Sequence, residues 1–365
     1  MLYELLLPLK DWFFGFNVIR YITFRSAMAA IFSMLISIWL GPVIIRWMYS
    51  IKVGQPIRKE DCLPLYAIHK DKQGTPTMGG VIILIGVIVS GLLWTDLSNK
   101  YVWCLLAIAS AFGAIGFYDD YLKIKRKNSK GYRARNKFWI ECVLGLGLAV
   151  FLYFDQETGY GQGYLSLPFF KNWAMHLGWV YFPFVIFVLV GSCNGVNLTD
   201  GLDGLSIGAV TICALAFTGI AYVSGHYQFA HYLNIPFIPG AGELAILCAS
   251  MAGAGLGFLW YNTYPAQIFM GDVGSLSLGA ILGAVALILR KELMYLVIGG
   301  VFVIETMSVI LQVASFRWTG KRIFKMSPLH HHFELKGWPE PKVTVRFWIL
   351  AIIFALAGLS MLKLK

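Results

Sequence analysis

Asp119-Asp120-Tyr121-Leu122-Lys123 sets two adjacent carboxylates and an amine at the end of a run, Tyr101 to Tyr118, that holds no charged residue. Ionised side chains lose hydration beside hydrocarbon, so such a pair persists where it does chemistry, pairs with charge or holds a cation. Lys123 stands three and four residues past the acids, on the same helical face. A helix-end ion pair at a membrane surface would account for this stretch taken alone.

Further polar residues recur with chemistry-bearing spacing. Asn197, Asp200 and Asp203 follow one another at i, i+3 and i+6, so a helix would present them as one stripe. Asp272 stands between Gly271 and Gly274 at the start of an apolar run, and Asn262 ends the run before it. Each could be a cap for free backbone donors at a helix end. Gathered at one membrane face beside a basic loop, the five aspartates instead describe a site for a hard cation and a phosphorylated substrate. Magnesium takes oxygen ligands, usually one or two carboxylates plus substrate phosphates, and lysines neutralise what the metal leaves. His330-His331-His332 raises zinc, but successive side chains on a helix splay by about 100° and do not converge on one ion. Hydrogen bonding to a substrate is the expectation for them.

The elements that must position these residues follow from composition. The chain has 365 residues, 58 % apolar and only 13 % charged. Several apolar runs are about 20 residues long, the length that crosses a bilayer. A closed barrel would show alternating segments of about ten residues, which are absent. The expected fold is an all-α, polytopic integral membrane bundle of about ten helices, one domain over 1–365. A net charge of +11 invites a nucleic-acid reading, but the bases cluster between apolar spans, so no nucleic-acid partner is expected. The first twenty residues carry Glu4 before any base and lack a small-residue cleavage site, unlike a signal peptide. They read as an interfacial segment anchored by Trp12 and Phe13. The six cysteines, with no C-x-x-C spacing, read as small core residues.

Spans are expected near 22–48, 77–95, 101–118, 138–154, 174–192, 205–223, 243–261, 273–289, 293–316 and 343–362. Thr75 before Pro76 predicts a helix start there. Glycines and aromatics near 155–170 predict a short external hairpin. Bases crowd the loops 49–76, 119–137 and 317–342, while the opposite loops offer Lys100, Lys171, Arg290 and Lys291. The positive-inside bias puts the loops 49–76, 119–137, 193–204, 262–272 and 317–342 in the cytoplasm and both termini outside.

Five motifs stand in order: Gly74-Thr75-Pro76-Thr77-Met78-Gly79-Gly80, the Asp119 to Lys123 stretch, Asn197-Leu198-Thr199-Asp200-Gly201-Leu202-Asp203-Gly204, Met270-Gly271-Asp272-Val273-Gly274-Ser275, and Pro328-Leu329-His330-His331-His332-Phe333-Glu334. With them the whole chain resembles the phospho-N-acetylmuramoyl-pentapeptide transferases, of the polyprenyl-phosphate N-acetylhexosamine-1-phosphate transferase superfamily. The resemblance implies a reaction of undecaprenyl phosphate with UDP-N-acetylmuramoyl-pentapeptide, giving a lipid diphosphate sugar (lipid I) and UMP with Mg²⁺. It implies a bacterial inner-membrane enzyme of peptidoglycan synthesis, ten spans and a homodimer among membrane lipid. It implies Asp272 as the magnesium ligand, Asp119 as the base toward the lipid phosphate and Asp120 in support. Lys70, Thr75, Lys123, Lys137, Asn197, Asp200, Asp203, Asn262, His330, His331 and His332 would bind substrate.

Two rivals share features. A sister enzyme moving N-acetylglucosamine-1-phosphate to the same lipid would carry the aspartate motifs. A cation-coupled transporter would also bury acids, but near the midplane and often in paired repeats. Here the acids sit at span ends and no repeat is visible.

Overall fold

A computed structural model describes residues 1–12, 14–50, 72, 74–126, 131–155, 163–166 and 174–363. The long apolar runs become α2 (Ile22–Ser50), α3 (Gly80–Trp94), α4 (Lys100–Arg126), α5 (Ala134–Phe154) and α6 (Tyr181–Thr199). They continue in α7 (Leu205–Ser224), α9 (Gly242–Asn262), α10 (Gly271–Ile288), α12 (Gly300–Thr319) and α14 (Glu340–Ser360). Short helices α1 (Leu2–Leu6), α8 (Tyr227–Leu233), α11 (Glu292–Ile298) and α13 (Leu329–Glu334) lie between them. Nine of these helices, one with the 3-10 turn before it, are long and apolar enough to cross a membrane, and α3 is a shorter apolar helix. The all-α polytopic expectation holds.

The bundle is built around α9 and α10. α9 packs on α2, α3 and α7, and α10 packs on α4 and α6. Their faces are small: Ala245, Ala249, Ala252 and Gly253 in α9, and Ser277, Gly279, Ala280 and Gly283 in α10. Between apolar helices in lipid, close backbone approach through small residues replaces the hydrophobic drive available in water. The outer helices turn large apolar side chains outward, as Trp39 and Leu35 on α2 and Leu356 on α14 show.

Four local expectations shift. The helix expected from Pro76 begins only at Gly80, because Gly79 and Gly80 donate their N–H groups to Phe269 and Met270 carbonyls at 2.8 Å each. Pro76 accepts from Phe269 N in turn, and Met78 turns the chain at φ 73°. The ninth span divides at Gly299 into α11 and α12. The hairpin expected near 155–170 runs past the end of that range: β1 (Tyr164–Ser166) pairs antiparallel with β2 (Ala174–His176), Tyr164 opposite His176. The first twenty residues form α1 and two 3-10 turns with Trp12 exposed, while Phe13 lies outside the described residues.

The fourth shift concerns Asn197, Asp200 and Asp203. α6 ends at Thr199, so the three residues do not form one helical stripe.

The N-terminus and the last described residues lie at one end of the bundle. The Met1 amino group bonds Leu92 O at 3.0 Å, at the far end of α3 from Gly80. α14 begins at Glu340, beside Asp203, and runs away from it to Ser360.

Candidate active site

α4 delivers Asp119 and Asp120 at its last turns, both almost fully buried, and α10 delivers Asp272 in its first turn. Oxygen atoms of the three carboxylates lie within 4.8 Å of one another. This set of hard donors suits a magnesium ion, whose preferred ligands are carboxylate oxygens.

The strand-like exchange between residues 76–80 and 269–270 holds Asp272 in place. The Gly80 backbone touches that of Gly274, and a Cβ on Gly80 would overlap it. The motif from Gly74 to Gly80 therefore acts as a clamp on the first turn of α10.

Every carboxylate has donors. Lys123 Nζ lies 2.8 Å from Asp119 Oδ2, 3.2 Å from Asp120 Oδ1 and 3.2 Å from Asp272 Oδ2. Lys137 Nζ lies 2.6 Å from Asp272 Oδ2 and 3.8 Å from Asp119 Oδ2. Tyr132 N donates to Asp119 Oδ1 at 2.6 Å, and Val273 N to Asp120 Oδ2 at 3.4 Å. Asn197 Nδ2 donates to Asp272 Oδ1 at 3.0 Å and to Ser275 Oγ at 2.8 Å. Asp200 follows α6, where burial and the charges of Asp272 and Asp120 push its carboxyl up to about 8.

Asp203 and Asn262 serve the frame. Asp203 accepts from Lys72 Nζ at 2.6 Å and Ala266 N at 3.0 Å, and its own N–H donates to Glu340 Oε1 at 2.7 Å. Lys72 also bonds Glu340 Oε1 at 2.6 Å. Asn262 accepts from Gly204 N at 3.1 Å and donates to Ile268 O at 2.8 Å. Thr75 is half-buried, its N–H bonded to Lys72 O at 3.2 Å. Lys70 lies outside the described residues.

The histidines diverge, as their splay requires. His330 is fully buried, 3.3 Å from Glu305 Oε1, and its ring packs onto Gly201, where a Cβ would overlap Nε2. His331 Nδ1 meets Glu334 Oε2 at 2.7 Å. His332 Nδ1 accepts from Lys325 N at 3.1 Å; burial and the nearby Lys336 and Lys325 ammoniums lower its pKa. His330 thus joins the turn after Asp200, while His331 and His332 belong to the loop around it.

Sequence reasoning overlooked Glu141, Glu305, Lys72 and Glu340. Glu141 is buried and accepts from Asn194 at 2.7 Å. Glu305 accepts from Leu329 N at 2.6 Å and His330 N at 3.2 Å, capping α13. Both are lone acids inside apolar runs, the signal that marks Asp119. Lys72 and Glu340 carry no such mark, because each sits among loop charges.

A multi-spanning helical bundle with carboxylates and lysines from three helices at one end defines a class, and the comparisons agree with it. The model of Glycosyl transferase family 4 matches residues 102–290. Phospho-N-acetylmuramoyl-pentapeptide-transferase signature 1 matches residues 72–84, the clamp on α10. The chain is 52 % identical over 366 aligned positions, covering all of both chains, to the phospho-N-acetylmuramoyl-pentapeptide-transferase of Oleidesulfovibrio alaskensis. It belongs to the phospho-N-acetylmuramoyl-pentapeptide-transferase family, within glycosyl transferase family 4.

Proposed function

We propose that the chain transfers phospho-N-acetylmuramoyl-pentapeptide from UDP-N-acetylmuramoyl-pentapeptide to undecaprenyl phosphate, releasing UMP. The observation that carries this reading is the meeting of Asp119, Asp120 and Asp272 at one end of a bundle whose whole length matches a transferase of that name. One substrate has a polyprenyl tail and needs access from lipid; the other is anionic and needs access from water. The edge of a helix bundle offers both.

In the reaction a lipid phosphate oxygen becomes bonded to the phosphorus that carries the sugar. The bond between that phosphorus and the bridging oxygen breaks, and UMP leaves with the electron pair. Asp272, with Asp120 in support, would hold Mg²⁺, which supplies charge neutralisation on the diphosphate. Lys123 and Lys137 neutralise the charge that remains. Asp119 readies the lipid phosphate, its carboxylate fixed by Tyr132 N and Lys123. Asn197 orients Asp272. Asp200 and the turn onto which His330 packs face the nucleotide sugar, with Thr75, His331 and His332 around them, while Asp203 and Asn262 hold the frame behind. The basic loops around this end support a cytoplasmic site under the positive-inside rule. The family resemblance adds a homodimer in the bacterial inner membrane.

The test is UMP release from purified protein given undecaprenyl phosphate, Mg²⁺ and one nucleotide sugar at a time. Release with UDP-N-acetylmuramoyl-pentapeptide and none with UDP-N-acetylglucosamine is expected. Release with UDP-N-acetylglucosamine alone would assign the sister reaction instead.

A further inference from the structure

Three carboxylates close enough to share one ion are all touched by the same ammonium. Lys123 Nζ lies 2.8, 3.2 and 3.2 Å from Asp119, Asp120 and Asp272. Lys137, by contrast, is close to Asp272 at 2.6 Å and reaches Asp119 only at 3.8 Å. We propose that the Lys123 ammonium occupies the place a divalent cation takes, so that cation entry expels Lys123 and frees it for the substrate's phosphates. The proposal rests on the metal assignment made for Asp272.

Space and charge both favour the exchange. A magnesium ion sits about 2.1 Å from each oxygen it binds, which leaves no room for a nitrogen centred among the same oxygens. An ammonium beside a divalent cation would also face direct repulsion.

The surroundings let Lys123 leave without collapse of the acids. Each carboxylate has another anchor: Tyr132 N on Asp119, Val273 N on Asp120, and Asn197 with Lys137 on Asp272. Lys123 is also the looser partner, its side chain 28 % exposed against 15 % for Lys137. Its four-carbon stem can swing the amine outward without moving α4. The seated ammonium holds three like charges together, and once displaced the same amine would reach the substrate's phosphates.

The test uses the full chain in detergent and Mn²⁺ as the probe, with affinity read by calorimetry or electron paramagnetic resonance. Lys123→Gln should bind Mn²⁺ about tenfold tighter or more, because the competing charge is gone. Lys125→Gln removes an equal charge from an exposed position on the same helix and should stay within about threefold of the wild type. In the wild type, saturating Mn²⁺ should raise acetic anhydride labelling of Lys123 severalfold, read by mass spectrometry, and leave Lys125 unchanged. Lys123→Gln binding no tighter than wild type, Lys125→Gln tightening as much, or unchanged Lys123 labelling would each overturn the exchange. Wild-type protein that binds no Mn²⁺ would overturn the metal assignment as well, so the two failures are distinct.

Discussion

At the end of the bundle that carries the N-terminus, Arg25 and Glu243 meet in a buried pair. Arg25 NH1 and NH2 each donate to one Glu243 oxygen at 2.7 Å. Trp94 O accepts from Arg25 at 3.2 Å, and Asp96 N donates to Glu243 at 2.8 Å. One cation meets one anion there, and both carboxylate oxygens are used. At the other end, among the described residues, two ammoniums serve three buried or half-buried carboxylates, which leaves negative charge over. Burying charge is costly at either end, but only a balanced pair completes itself. The surplus at the Asp119 end makes sense when a cation and an anionic substrate complete it.

Breaking each end should therefore give opposite signatures. Asp272→Asn should lower turnover by about 1,000-fold or more while the melting temperature stays near wild type, since a neutral amide binds a hard cation poorly. Near-normal turnover across a magnesium titration would remove Asp272 from the metal site. Arg25→Met should instead destabilise the protein by about 3–5 kcal/mol by stranding a buried carboxylate, with activity per folded molecule retained. Adding Glu243→Leu should recover most of that stability, because a well-packed apolar pair replaces a buried ion pair at little cost. Thermal unfolding of the single and double variants checks both statements.

The Asp119 end was legible in the sequence because its chemistry breaks a local rule. Adjacent acids closing an apolar run, and an acid flanked by glycines, announce themselves against hydrocarbon. What stayed hidden depends on pairing across the chain. That Gly79 and Gly80 spend their N–H groups on Phe269 and Met270 cannot be read from helix-start signals, so the α3 start lay four residues late. Asp203 looks like its neighbours in sequence, yet Lys72 and Glu340 draw it into the frame from distant loops. The division of the ninth span at Gly299 follows from a glycine pair inside an apolar run, a signal too weak to outweigh hydrophobicity.

Two smaller effects sharpen the comparison. Asp119→Asn should recover activity about tenfold as pH rises past about 6, if Asp119 only deprotonates the lipid phosphate, whose second ionisation lies there. A rate flat from about pH 6 to about pH 9 would assign Asp119 to anchoring charge or to covalent attack instead. A phosphorylated protein trapped with nucleotide sugar alone would select covalent attack. Neutralising Lys125 and Arg126 together should raise KM severalfold and leave kcat within about twofold, because exposed bases attract anions without touching the reacting atoms.

UMP release measured across a Mg²⁺ titration, for the wild type, Asp272→Asn and the Arg25→Met/Glu243→Leu double variant side by side, tests the contrast between the two ends most directly. Wild type and double variant should share one metal-dependence curve that a chelator abolishes and added Mg²⁺ restores, with Asp272→Asn flat near zero. UMP release that survives the chelator, or a double variant as inactive as Asp272→Asn while still folded, would contradict the account.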